Sequence, residues 1–123
     1  RNSYFYKSLG QNNYFSFLKQ VDGIIGNSSS GILEAPYFKK GTINIGNRQS
    51  GRLKSKSIIN IKIKKSAIIS SVKKLLSPSF QKIIKNNINP YGTYGASKKI
   101  IKILKTTNTK KIFNKSFYDI KNI

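Results

Sequence analysis

Val21-Asp22-Gly23-Ile24-Ile25-Gly26-Asn27-Ser28-Ser29-Ser30-Gly31-Ile32-Leu33-Glu34 reads as an apolar strand running into a loop of small residues and then into residues that can form a helix. Small residues at that junction let backbone N–H groups and hydroxyls close around a phosphate. An ordinary capped turn would use the same residues, and an acid in a first helical turn is favoured by the macrodipole in any case. The scarcity of acids sharpens the choice. Asp22, Glu34 and Asp119 are the only carboxylates against 24 Lys and Arg. A carboxylate one turn beyond a phosphate loop suits a ribose diol, because it accepts both hydroxyl protons.

A second segment has complementary chemistry. The apolar run Thr42-Ile43-Asn44-Ile45 leads into Gly46-Asn47-Arg48-Gln49-Ser50-Gly51-Arg52, again a glycine-rich stretch after a strand, now with two guanidinium groups. The planar fork of Arg matches pairs of phosphate oxygens. Any single Arg in so basic a chain is accounted for by a solvated loop; two strand-end loops of matching chemistry are harder to explain that way.

Three separated strings, GNSSSGILEAPYF from Gly26, TINIGNRQSGR from Thr42 and NPYGTYGASKKIIKIL from Asn89, together resemble the hydrolysing UDP-N-acetylglucosamine 2-epimerases that feed sialic and related nonulosonic acid synthesis. Order and spacing match from about Ser8 to Leu104, and Lys115 to Asp119 is similar to the end of bacterial members. The sequence departs from the family pattern at Asn47, where Asp is common, at Thr93-Tyr94-Gly95, in place of Asp-Gly-Asn, and at Gly41, in place of Pro.

The resemblance implies an α/β fold, the parallel-sheet, Rossmann-like C-terminal half-domain of a glycosyltransferase-B type fold, with a UDP-sugar in the cleft between two halves. It implies that residues 1–105 are the distal part of the C-terminal nucleotide-binding domain and 106–123 a C-terminal tail, the N-terminal domain being missing from this sequence. Carried over by position, Ser28, Ser29 and Gly31 hold the diphosphate, Glu34 the uridine ribose and Arg48 a phosphate oxygen. Ser30 and Arg52 are further candidates. The family's chemistry is proton abstraction at the sugar C2, elimination of UDP to a glycal, and addition of water to release N-acetylmannosamine. No catalytic acid or base is recognisable here, so proton transfer is expected from the N-terminal part, and this chain alone is expected to turn over nothing. A relative acting on UDP-diacetylbacillosamine or a GDP-linked sugar is the alternative within the family. A non-catalytic nucleotide- or nucleic-acid-binding module is the alternative outside it.

Length and composition agree with part of a larger enzyme. The 123 residues suffice for one domain or part of one, and the sequence opens on Arg1 rather than Met. A hydrophobic content of 37%, with 7 Phe and 7 Tyr, argues for a packed core. No apolar run approaches a membrane span and no secretory signal pattern is visible. With neither Cys nor His, the chain offers no thiolate or imidazole to a metal, and no metal or cofactor is expected. These features suit a cytoplasmic enzyme, expected to be a homo-oligomer. The net charge of +21 would attract nucleic acid. The lysines are mixed with abundant Ile and Asn, however, as compositional drift would leave them, so nucleic acid is not the expected partner.

Along the chain, Ser3 to Tyr6 is predicted as an edge strand, and Asn12 as the cap of a helix carrying Tyr14, Phe17, Leu18 and Val21 at helical spacing. Strands are predicted at Gly23 to Ile25, Thr42 to Ile45 and Ser57 to Ile61. A helix from Gly31 to about Phe38 should bend at Pro36, which lacks the N–H of a ladder bond. Ser66 should cap a helix bearing Ile68, Val72, Leu75 and Leu76 and ending at Ser77-Pro78; Phe80, Ile83 and Ile84 suggest another. Ala96, Ile100, Ile103 and Leu104 form a final apolar stripe, read like the others as core. Strands alternating with helices imply a parallel sheet with ligands at its carboxyl ends.

Overall fold

The structure is a computed structural model and describes residues 2–92 and 94–108. Two compact units divide the chain, one up to Gly92 and one from Thr93 onward. In the first unit, strands β1 (Gly23–Gly26), β2 (Gly41–Ile45) and β3 (Ile58–Ile61) form a parallel sheet in the order β1-β2-β3. Gly23 pairs with Gly41 and Ile25 with Ile43, while Asn44 pairs with Asn60. Helices α1 (Gly10–Gln20) and α2 (Ser30–Leu33) flank β1 in sequence, and α3 (Lys65–Leu76) and α4 (Pro78–Lys85) follow β3. This is the α/β, parallel-sheet arrangement of a Rossmann-like half-domain.

Alternation along β2 sorts its side chains onto two faces. Over Gly41, α3 and α4 press so closely that a β-carbon would lie 2.8 Å from Ile84 Cδ1 and 3.2 Å from Leu75 Cδ1. The opposite face presents Thr42 to α2. Leu18, Ile32, Ala35, Ile43, Leu75, Phe80 and Ile84 form the buried core. Each Leu, Ile or Phe so buried contributes about 1.5–3 kcal/mol of transfer free energy. α1 reaches the α2 side through Phe15, whose ring centroid lies 5.4 Å from that of Phe38.

Several boundaries differ from the sequence expectation. Ser3 to Tyr6 forms no strand; Tyr4, Phe5 and Tyr6 are exposed and pair with no neighbouring strand among the described residues. α1 begins before Asn12, with Leu9 at the N-cap and the Ser8 hydroxyl accepting from the Gly10 N–H, and Val21 lies just beyond its end in extended conformation. α2 stops at Leu33 because Pro36 cannot donate to the ladder; the chain continues to Lys40 as linked turns in which the Ala35 N–H reaches back to Ser30. Ser66 lies inside the first turn of α3, whose N-cap is the extended Lys64. Ser77 closes α3 and also caps α4, accepting from the Phe80 N–H, with Pro78 at the first helical position where no N–H is needed.

In the second unit, α5 (Ala96–Thr106) follows Gly95, whose φ of 100° suits glycine. Its stripe is not core: α5 has no buried residue, and Ile100, Ile103 and Leu104 are each more than half exposed. Packing, not amphipathic spacing, decides burial. The family-like segment from Lys115 to Asp119 lies outside the described residues.

Candidate functional site

β1 and β2 end side by side, so the loops that leave their carboxyl ends meet. In the first loop the Ser30 N–H donates to Ser28 Oγ at 3.3 Å, and the Gly31 N–H to the Ser28 carbonyl at 3.2 Å. The N–H groups of Ser28 and Ser29 have no acceptor among the described residues, and the Ser28 side chain is exposed. These two amides are therefore the available donors, with the Ser28 and Ser29 hydroxyls beside them. α2 has only four residues, so an anion here would meet these individual donors more than a macrodipole.

Gly31 is explained by packing. It is buried, and a β-carbon on it would stand 2.6 Å from the Thr42 methyl. Glycine lets α2 approach β2 closely, and the Thr42 hydroxyl seals the contact with a 2.7 Å bond to the Gly31 carbonyl.

The second loop turns between Gly46 and Gly51, both at positive φ (78° and 76°), and is closed by the Ser50 N–H donating to the Asn47 carbonyl at 2.8 Å. Arg48 and Arg52 are both exposed on it, free to meet an anion. Gln49 between them is turned inward and 3% exposed, its Nε2 donating at 2.8 Å to the Asn27 carbonyl of the serine loop. This bond joins the two loops. The two arginines, the serines and the ribose candidate all lie in the same unit.

Glu34 is held by Ser30, whose hydroxyl donates to Oε2 at 2.6 Å across one helical turn; Tyr14 Oη in turn bonds to Ser30 Oγ. Ser30 thus positions the acid. Glu34 lines a cavity of about 530 Å³ together with Ser8, Leu9, Gly10, Gln11, Tyr14 and Phe15. A half-buried carboxylate beside two aromatic rings is suited to a nucleoside, the acid taking the diol and the rings a base face. A larger cavity, about 570 Å³ and lined by Lys54, Lys56 and Lys82 among others, contains none of the predicted site residues.

Sequence reasoning missed Gln49 and Tyr14. A neutral amide between two arginines carries no signal by type, and Tyr14 sits at a helical spacing that core packing explains as well. Among the described residues there is no cluster of three or more His, Cys, Asp or Glu to hold a metal, and no helix long and apolar enough to cross a membrane.

Comparison with known proteins identifies relatives of this chain. The profile of a family described as UDP-N-acetylglucosamine 2-epimerase matches residues 1–105. A GDP/UDP-N,N'-diacetylbacillosamine 2-epimerase (hydrolyzing) of Campylobacter jejuni is 42% identical over 94% of this chain and 30% of its own length. A polysialic acid biosynthesis protein of Escherichia coli is 36% identical over 92% of this chain and 29% of its own. A UDP-N,N'-diacetylbacillosamine 2-epimerase (hydrolyzing) of Legionella pneumophila is 33% identical over 81% of this chain and 26% of its own. The chain thus spans less than a third of the length of these relatives.

Proposed function

The chain belongs to the UDP-N-acetylglucosamine 2-epimerase family, and from that premise we propose that it supplies the nucleotide-binding part of a hydrolysing 2-epimerase acting on UDP-N-acetylglucosamine. The observation that carries this is the meeting of the serine and arginine loops at the carboxyl ends of neighbouring parallel strands, tied by Gln49 to Asn27. Ligands of open α/β sheets sit at such a place.

In this account the Ser28 and Ser29 amides and hydroxyls take one face of the diphosphate, and Arg48 takes another, with Arg52 nearby in the chain. Glu34, held by Ser30, accepts the ribose hydroxyls, and Tyr14 and Phe15 border the base. The reaction removes the C2 proton of the sugar, breaks the bond between the anomeric carbon and the glycosidic oxygen, and leaves a glycal; water then adds to give N-acetylmannosamine. The bonding pair departs with the oxygen, so UDP gains negative charge in the transition state. Donors fixed in advance around the diphosphate stabilise that charge and lower the barrier. Proton transfer at C2 falls to groups outside this chain, in an N-terminal domain that completes the cleft. We place the enzyme in the cytoplasm, as a homo-oligomer without a cofactor.

A second substrate, UDP-N,N'-diacetylbacillosamine, is favoured by the names of the Campylobacter and Legionella relatives. The nucleotide contacts would be the same for both. Product analysis decides: with the protein completed to the length of its relatives, UDP-N-acetylglucosamine should yield free UDP and N-acetylmannosamine. Release of UDP from the bacillosamine derivative alone would transfer the assignment to that sugar, release of GDP from a GDP-linked sugar alone would transfer it there, and release from none of the three would refute the enzyme reading.

A further inference from the structure

The Gln49 amide bonds to one peptide unit in particular. Its Nε2 donates to the carbonyl of Asn27, and the same planar, trans peptide carries the N–H of Ser28. In a trans peptide these two groups point in opposite directions. Holding the carbonyl on one side therefore aims the Ser28 N–H on the other, and that N–H has no acceptor among the described residues. A hydrogen bond to the carbonyl also polarises the peptide and strengthens its N–H as a donor.

The orientation of the Gln49 amide is settled by its partner. Only the NH₂ end can face the Asn27 carbonyl, so Oε1 must be the other end, and Oε1 is buried with no hydrogen-bond partner. A buried acceptor without a donor costs stability, and an apolar side chain of similar size would avoid that cost. Residue 49 is thus poorly chosen for packing alone and well chosen for grasping a carbonyl. Its own turn is firm, closed by Ser50 to Asn47 and anchored by the Gly46 N–H donating to the Ile61 carbonyl at 2.8 Å.

We infer that Gln49 is a positioning residue of the anion site: it aims the Ser28 N–H at a ligand phosphate oxygen by fixing the Asn27–Ser28 peptide plane, and keeps the Arg48 turn at a set separation from the serine loop. This rests on the nucleotide reading above, and adds a residue that touches no ligand yet governs one of the donors.

The test uses the protein completed to the length of its relatives, with ¹⁵N-labelled amides, titrated with UDP and compared with its Gln49→Leu and Gln49→Met variants. Both variants remove the donor, and Met keeps the length of the Gln side chain. In the unsubstituted chain the Ser28 amide should move strongly with UDP. In both variants that response should be lost or sharply reduced, while amides of α3 keep their positions, and UDP affinity should fall about three- to tenfold. If Gln49→Leu disturbs the α3 amides, Gln49→Met decides. An undiminished Ser28 response in the variant that remains folded overturns the inference and leaves the nucleotide site standing. The absence of any response to UDP in the unsubstituted chain overturns both.

Discussion

Thr42 Oγ1 donates a 2.7 Å hydrogen bond to the carbonyl of Gly31, and its methyl group fills the space where a β-carbon at position 31 would lie. The serine loop is thus anchored to the middle strand of the sheet at its helical end, as it is anchored to the arginine loop through Gln49 at its strand end.

Replacing Gly31 with Ala should therefore strain the α2–β2 contact and destabilise the chain by about 1–3 kcal/mol, as overpacking of a buried site does. Thr42→Ser removes the obstructing methyl and retains the hydroxyl, so the double variant should recover part of the loss. Urea denaturation of the single and double variants measures it, and an additive or worse double variant would show that the methyl is not the obstacle.

Glu34→Ala should weaken both UDP and uridine by about ten- to a hundredfold, the worth of charge-assisted hydrogen bonds to the ribose. In the completed enzyme the loss should fall mainly on KM, because the ribose is remote from C2 and its contacts change little toward the transition state. Ser30→Ala, which removes the hydroxyl that holds the acid, should weaken both ligands by less. If Glu34→Ala abolished kcat with UDP affinity intact, Glu34 would be an acid–base residue instead.

Arg48→Ala should separate from Glu34→Ala in a different way. It should weaken UDP and leave uridine unaffected, since a guanidinium grips only the phosphates. In the completed enzyme kcat should fall together with kcat/KM, because leaving-group charge grows in the transition state. Isothermal titration with the two ligands and steady-state kinetics check the two halves of this expectation.

The net charge of +21 carries its own expectation. Duplex DNA should bind without sequence preference, at Kd values of about 10⁻⁴–10⁻⁶ M near physiological salt, and binding should fade steeply as salt rises. Fluorescence anisotropy across a salt series measures this. Tight, sequence-selective binding at physiological salt would favour a nucleic-acid module over the enzyme.

How much of this was legible in the sequence depended on whether the signal was local. The three strands stood out because runs such as Thr42 to Ile45 and Ser57 to Ile61 are rich in β-branched residues between turn signals, and the two loops because Gly, Ser and Arg cluster at strand ends. Helix boundaries were less legible. Pro36 reads as a bend yet ends α2 outright, since a helix so short cannot absorb a lost bond. The two contacts that organise the site, Gln49 to Asn27 and Tyr14 to Ser30, join residues 22 and 16 positions apart and leave no periodic trace. The stripe on α5 shows the converse: its spacing is as regular as that of α3, but burial needs a facing surface.

The central claim, that the loop from Ser28 to Gly31 receives a diphosphate, is tested most directly by following the backbone amides of the ¹⁵N-labelled chain during parallel titrations with UDP and uridine. UDP should shift the Ser28 and Ser29 amides far more than uridine does, because those donors need the anion, while residues of the Glu34 cavity such as Tyr14 and Phe15 should respond to both. Equal responses of Ser28 and Ser29 to the two ligands would contradict the claim.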